Sequence, residues 1–338
     1  MRFIKFFLLL LALGAGTFAA YAVASRFAAN DVRGPAPGTV PQHKMLPLAT
    51  VFGCKDCVVN DIAFSDSGTA WAVAYDGRDP NQIFQSKDGG NRWDARAVNA
   101  GGFSLESINF VGDKKGWAVG AGNILHTDNG GATWRQLTRL TGSQLNEVQF
   151  VNSEIGYVAG RTEWGCVVLR TVDGGSNWQE VYEATRSGYV FGMATLGNRI
   201  VVAAINDDHL IRTQDGGATW KIVDSEMLGA SDVTFTFTGI GWVVGRRGAF
   251  YRSTDQGKTW DRPANLPESF NTYDWTSISF AGDKGLAVGK NGVIAITSDG
   301  GASWSECKTN VSENFGAVRL NNRTGLIIGS QKIYSIVL

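Results

Sequence analysis

The side chains best suited to acid–base or metal chemistry recur at fixed spacing. Asp88, Asp173, Asp215, Asp255 and Asp299, with Asn129 in a sixth copy, each follow a Ser or Thr by two residues and precede a Trp by five. The segments run Ser86–Trp93, Thr127–Trp134, Thr171–Trp178, Thr213–Trp220, Ser253–Trp260 and Thr297–Trp304. Carboxylates of this kind could ligate calcium or act as general acids. A calcium loop alternates acidic residues and closes on a bidentate Glu, whereas each of these boxes supplies one carboxylate, or two at most. Asn129 keeps an acceptor oxygen and loses the charge, which a turn tolerates and a catalytic acid does not. The boxes therefore read as turn braces. Their Gly residues permit backbone angles that other residues resist, and the Asp and Ser/Thr oxygens accept turn N–H groups. The tryptophans Trp93, Trp134, Trp178, Trp220, Trp260 and Trp304 are expected to bury between neighbouring sheets.

Three other groupings could carry chemistry. Cys54 and Cys57 form a C-x-x-C. A redox pair would need a helix N-terminus to lower its thiol pKa, and a zinc site a second ligand pair, with only His43 nearby. The reading is a local structural disulfide. Cys166 and Cys307 fall in distant repeats and are expected to be unpaired. Asp207, Asp208 and His209 read as a solvent-facing turn rather than a metal site. No cofactor and no metal are expected.

The elements that carry the boxes repeat with them. The box tryptophans are 41, 44, 42, 40 and 44 residues apart, a period that marks a repeat architecture. Within a period come four short β-rich runs bounded by Gly, Asn or Asp, as in Ser107–Val111, Gly116–Gly120, Asn123–Thr127 and Trp134–Thr138. The Gly116–Gly120 run returns at 156–160, 241–245, 285–289 and 325–329, apolar enough for a strand buried on both faces. Four antiparallel strands per repeat match one propeller blade. The fold class predicted is all-β, a seven-bladed β-propeller of four-stranded antiparallel blades over residues 45–338. Only six boxes exist, so the last blade must borrow its fourth strand from residues 45–51, which removes two open sheet edges.

The chain has 338 residues, with 31 basic and 31 acidic, a balance that gives no long-range steering toward nucleic acid. Arg2 and Lys5 precede an apolar run from Phe6 to Ala24, so residues 1–24 read as a signal peptide or an uncleaved anchor. Residues 25–44, with Pro35, Pro37 and Pro41, read as an extended linker. The propeller is placed in a periplasmic or lumen-like compartment.

Ser/Thr-x-Asp-x-Gly-x-x-Trp is the Asp-box, or BNR repeat. The longer unit, Val-Gly-x-x-Gly-x-Ile followed by a box, occurs at Val119–Trp134 and Val288–Trp304, and with Arg247–Tyr251 it resembles the photosystem II stability/assembly factor propellers. The resemblance covers about residues 45–338. It implies a non-enzymatic scaffold that helps a membrane complex assemble. The lipoprotein Cys of bacterial members is absent. The rival reading is a sialidase-like hydrolase or a glycan-binding propeller. A sialidase would need an Arg-bearing strand before the first blade, and Arg2, Arg26 and Arg33 are in no such strand.

In a propeller the boxes share one face with the first-to-second strand turns. The opposite face gathers the second-to-third turns and the links between blades, the variable loops where binding sits. Arg161, Trp164, Arg186, Arg246, Arg247, Tyr273 and Trp275 are the candidate partner contacts, since arginine interleaved with aromatics is favoured at interfaces. The expected partner is a membrane protein or an assembling membrane complex, bound by a monomer.

Overall fold

A computed structural model describes residues 48–53, 58–75, 82–96, 98–99, 103–184, 188–205, 209–224, 229–307, 309, 311–322 and 324–337. The expected signal segment, the linker, the Cys54–Cys57 pair, Arg186, Asp207 and Asp208 lie outside the described residues. Seven sheets follow one another along the chain. Their innermost strands are Val58–Phe64, Ser107–Val111, Gln144–Phe150, Val190–Leu196, Ala230–Phe235, Trp275–Ala281 and Ala317–Leu320. Each packs on the next, and the seventh packs on the first. The chain is a closed seven-bladed β-propeller.

The ring closes as the missing box requires. Ala49–Gly53 pairs antiparallel with Lys332–Ile336 and becomes the outer strand of blade 7. The closing strand thus starts four residues later than the sequence suggests. Phe52 anchors it, with its ring 4.9 Å from Phe84 and 5.8 Å from the box Trp93 of blade 1.

Two blades depart from four strands. Blade 2 gains a fifth, Val98–Asn99, parallel to Trp134–Arg139 on its outer edge. Blade 5 has three, Ala230–Phe235, Gly241–Gly245 and Phe250–Ser253, and its fourth is reduced to one bridge, Arg252 to Asp261. The cause is local. Pro263 has no N–H for a ladder, and the Arg262 guanidinium takes over, donating to the Gly248 carbonyl at 2.5 Å and to Asn271.

The core lies in the seams. Each hydrophobic cluster joins two neighbouring blades, as where Trp71 of blade 1 meets Phe110 and Trp134 of blade 2, or Trp242 of blade 5 meets Trp304 of blade 6. The second strands are buried along almost their whole length because they contact a blade on either side. Box glycines set how closely blades approach. Gly131 sits at φ 73° and a Cβ there would fall 2.0 Å from Trp71; Gly301, at φ 86°, stands in the same relation to Trp242.

Candidate functional site

The boxes come first because their carboxylates are the most numerous candidates. In every box the Ser or Thr hydroxyl donates to the acid or amide oxygen, as from Thr171 to Asp173 at 2.8 Å and Thr127 to Asn129 at 2.9 Å. The same hydroxyl accepts the N–H of the second Gly, at 2.9 Å for Gly175. The carboxylate then accepts the N–H four residues on, from Arg92, Asn177, Thr219, Thr259 and Ser303. Asn129 reproduces this with Thr133, and its amide donates back to the Thr133 hydroxyl at 2.8 Å. Donors converging on an anion favour its charged form. The Asn177 N–H and side-chain amide thus hold Asp173 down at about 2. At Asp255 burial pushes upward, and the Thr259 and Ser253 bonds outweigh it to reach about 2. Each acid braces its own turn.

Their tryptophans wedge between blades. Trp134, Trp260 and Trp304 are buried, and Trp93, Trp178 and Trp220 are half-buried. Trp134 stands edge-on to Trp71 at 6.2 Å, and Trp304 to Trp242 at 5.4 Å.

The opposite face brings several of the candidates together. Arg161 ends the second strand of blade 3, and the Thr162 N–H bonds the Gly165 carbonyl at 2.7 Å to close a tight turn. That turn presents Trp164, 68% exposed. Arg161 donates from Nε to Gln144 at 2.8 Å and from Nη1 to the Tyr189 hydroxyl at 2.5 Å. Its guanidinium carbon lies 4.8 Å from the Tyr189 ring centre. Tyr189 contacts Phe191 at 6.2 Å between centroids, and Arg246 lies 5.9 Å from the Phe191 ring. Two guanidiniums from blades 3 and 5 are thereby bridged by two aromatic rings of blade 4. Cation–π contacts of this kind are worth ~0.5–1 kcal/mol each at exposed sites. Arg247 extends the row, exposed, in a left-handed conformation at φ 55°, with its N–H on Asp274 at 3.0 Å. That N–H and the Lys290 ammonium at 3.1 Å hold the Asp274 carboxyl below its ordinary range. Beside the row runs a groove of about 520 Å³, lined by Leu145, Asn146, Arg161, Tyr189, Val190 and Phe191 among others.

Two candidates lie elsewhere. Trp275 is fully buried in the seam of blades 5 and 6 against Phe250 and Phe270, so it is a core residue and not a surface contact. Tyr273 is half-buried, packs edge-on to Trp275 at 5.5 Å and donates to Glu306 at 2.9 Å. The chain leading into blade 6 carries a short 3-10 helix, Glu268–Thr272, which folds both inward. His209 is half-buried at the start of a blade 4 strand, and Cys166 is a buried thiol outside any disulfide, its pKa raised by burial.

Sequence reasoning missed the axis. Asp61, Ser107, Glu147, Gly192, Asp232 and Ser277 occupy one register on successive innermost strands, opposite Val73, Val119, Ala159, Ala204, Val244 and Val288. Carboxylates from blades 1, 3 and 5 alternate with small residues from blades 2, 4 and 6. Arg319 of blade 7 reaches across to Asp61 at 2.9 Å. Asp61 and Asp232 also clip their neighbours, accepting from the Ser107 hydroxyl at 2.9 Å and the Ser277 hydroxyl at 2.7 Å. Burial pushes the Glu147 carboxyl well above its ordinary range, and the Asp61 charge adds to it. Burial raises Asp232 too, although Arg319 opposes. Burial would lower Arg319, but Asp61, Asp232 and Glu147 outweigh it and raise its pKa. The channel on the box-free side of this cluster encloses about 260 Å³. Aligning the repeats on their Gly-rich second strands exposes the alternation, but Arg319 lies two positions beyond the register, and nothing in its own repeat marks it.

Fold, seams and faces together define a box-braced propeller with a basic-aromatic loop face and a charged axis. The family model described as photosynthesis system II assembly factor YCF48 matches residues 52–143 and 229–314, and the chain belongs to that family. It is 26% identical over 258 residues to a photosystem II assembly lipoprotein Ycf48 from Synechococcus sp. (strain CC9902), covering 72% of this chain and 73% of that protein. A solved structure of YCF48 bound to D1 peptide is similar with a TM-score of 0.69 and 21% identity, covering 88% of this chain and 99% of the other. A virginiamycin B lyase from Staphylococcus aureus shares the fold with a TM-score of 0.68 and 17% identity, covering 87% and 99%.

Proposed function

We propose that this protein is a non-enzymatic assembly scaffold. It holds a segment of a membrane-complex subunit on its box-free face, in an exported or lumenal compartment to which residues 1–24 direct or anchor it. The observation that carries the reading is the Arg161–Tyr189–Phe191–Arg246 row beside an apolar groove, in a chain of the photosystem II assembly factor family. A relative has been solved with D1 peptide, which makes photosystem II the first complex in which to seek the partner. The fold alone does not decide against catalysis, since a lyase shares it. The box acids, however, each accept the hydroxyl and an N–H of their own turn, which supports reading those carboxylates as braces.

Charge reversal tests the face. Arg161→Glu with Arg246→Glu should leave the melting temperature within a few degrees, because Arg161, at the end of its strand, and Arg246, in an exposed turn, both stand outside the hydrophobic seam clusters. Recovery of crosslinked partner from native membranes should fall at least tenfold. Unchanged recovery with an intact fold would move the binding surface elsewhere.

A further inference from the structure

Glu106, Asn146 and Phe191 line both the groove and the axial chamber, so the two spaces abut at those residues. Their charges are opposite. Arg161 lines the groove, and Arg246 stands 5.9 Å from the ring of its lining residue Phe191. The chamber carries Asp61, Glu106, Glu147 and Asp232 against the single guanidinium of Arg319. Asp61 already pairs with Arg319, and Asp232 accepts the Ser277 hydroxyl and the Ile278 N–H. Glu106 of blade 2 lines both spaces, and Glu147 of blade 3 lines the chamber.

We propose that the bound segment is an extended peptide with a fixed charge polarity: a basic side chain enters the axial chamber, and acidic groups or a terminal carboxylate lie outward over Arg161 and Arg246. This deepens the scaffold reading and rests on it. The occupant follows from charge complementarity across two abutting spaces of opposite charge. Spacing follows from two consecutive contacts. Arg161 is 4.8 Å from Tyr189, which is 6.2 Å from Phe191 on the chamber wall. The Arg161 guanidinium is therefore within about 11 Å of the Phe191 ring on the chamber wall, a span that three to four residues of extended chain cover at ~3.3 Å each. Glu106 and Glu147 select the inward residue and Arg161 the outward one.

Three fluorescein-labelled octapeptides of alanine and serine test it by anisotropy. One carries a lysine four residues before a terminal acidic pair, one has the order reversed, and one replaces the lysine with alanine. The first should bind at least tenfold more tightly than either other. The Glu106→Gln, Glu147→Gln double variant should erase that preference while leaving affinity for the lysine-free peptide unchanged, with a melting temperature no lower than the parent's as the check on folding. Lysine-free and lysine-bearing peptides binding equally to the unmodified protein would overturn the polarity alone. Failure of all three to bind would overturn the scaffold reading beneath it.

Discussion

At the scale of single residues, two sets of carboxylates answer pH in opposite directions. The box acids are depressed in the folded state, Asp173 and Asp255 to about 2. A depressed carboxyl contributes stability that is complete above its unfolded pKa, near 3.8, and is lost as pH falls through the folded value. The box contribution should therefore disappear between about pH 4 and pH 2. Asp173→Asn should copy the second box, keeping the melting temperature at pH 7 close to the parent and weakening the acid-limb decline, as followed by circular dichroism from pH 5 to pH 2. Glu147 behaves inversely. Its folded pKa is raised, so it favours folding at low pH and that advantage is lost as pH rises through the folded value. Glu147→Gln should match the parent near pH 4 and melt higher than the parent near pH 8; an equal difference at both would show that the axis is not straining this acid. The boxes were legible in the sequence because the bonds that brace them, from hydroxyl to acid and from turn N–H to hydroxyl and acid, span only two to four residues. Glu147 was not, since its environment exists only once strands some forty residues apart have met.

At the scale of elements, the blade is a unit that cannot bury its own faces. The seam clusters make the box as much a spacer between blades as a turn within one. Trp134→Ala should cost about 3–5 kcal/mol, the usual figure for emptying a large aromatic from a core. Gly301→Ala should be comparably damaging, because the new methyl meets the Trp242 ring and the left-handed backbone disfavours a side chain. Trp164→Ala, on its exposed turn, should be silent in the same urea titrations. The strand content was readable from Gly-bounded apolar runs. The exceptions have physical causes: Pro263 stops the fourth strand of blade 5, and a short helical turn carries Trp275 from the expected loop surface into the core. An aromatic beside a strand reads the same in sequence whether it faces solvent or a neighbouring blade.

At the scale of the whole molecule, stability depends on the ring being shut. The strand Ala49–Gly53 covers the edge of Lys332–Ile336 and plants Phe52 against blade 1. Deleting residues 48–53 exposes a paired edge and removes Phe52 from the seam between blades 7 and 1, and unpaired strand edges recruit other chains. The truncated protein should melt well below the parent and elute as oligomers on size exclusion; a monomer of unchanged melting temperature would show that closure contributes little. The count of seven followed from the period and from the missing box. The arrangement at the axis did not, because converging charges from blades 1, 3, 5 and 7 arise only when the circle is complete.

That clasp has a kinetic corollary. Thr50 must find Tyr334, a partner roughly 280 residues downstream, and joining such remote segments demands a large loss of chain freedom before any reward arrives. During synthesis the first strand to emerge waits unpaired until nearly the last has been made. Intermediates on the ribosome or at a translocation pore therefore carry a bare ribbon edge, and the late clasp is the step at which a chaperone would matter most.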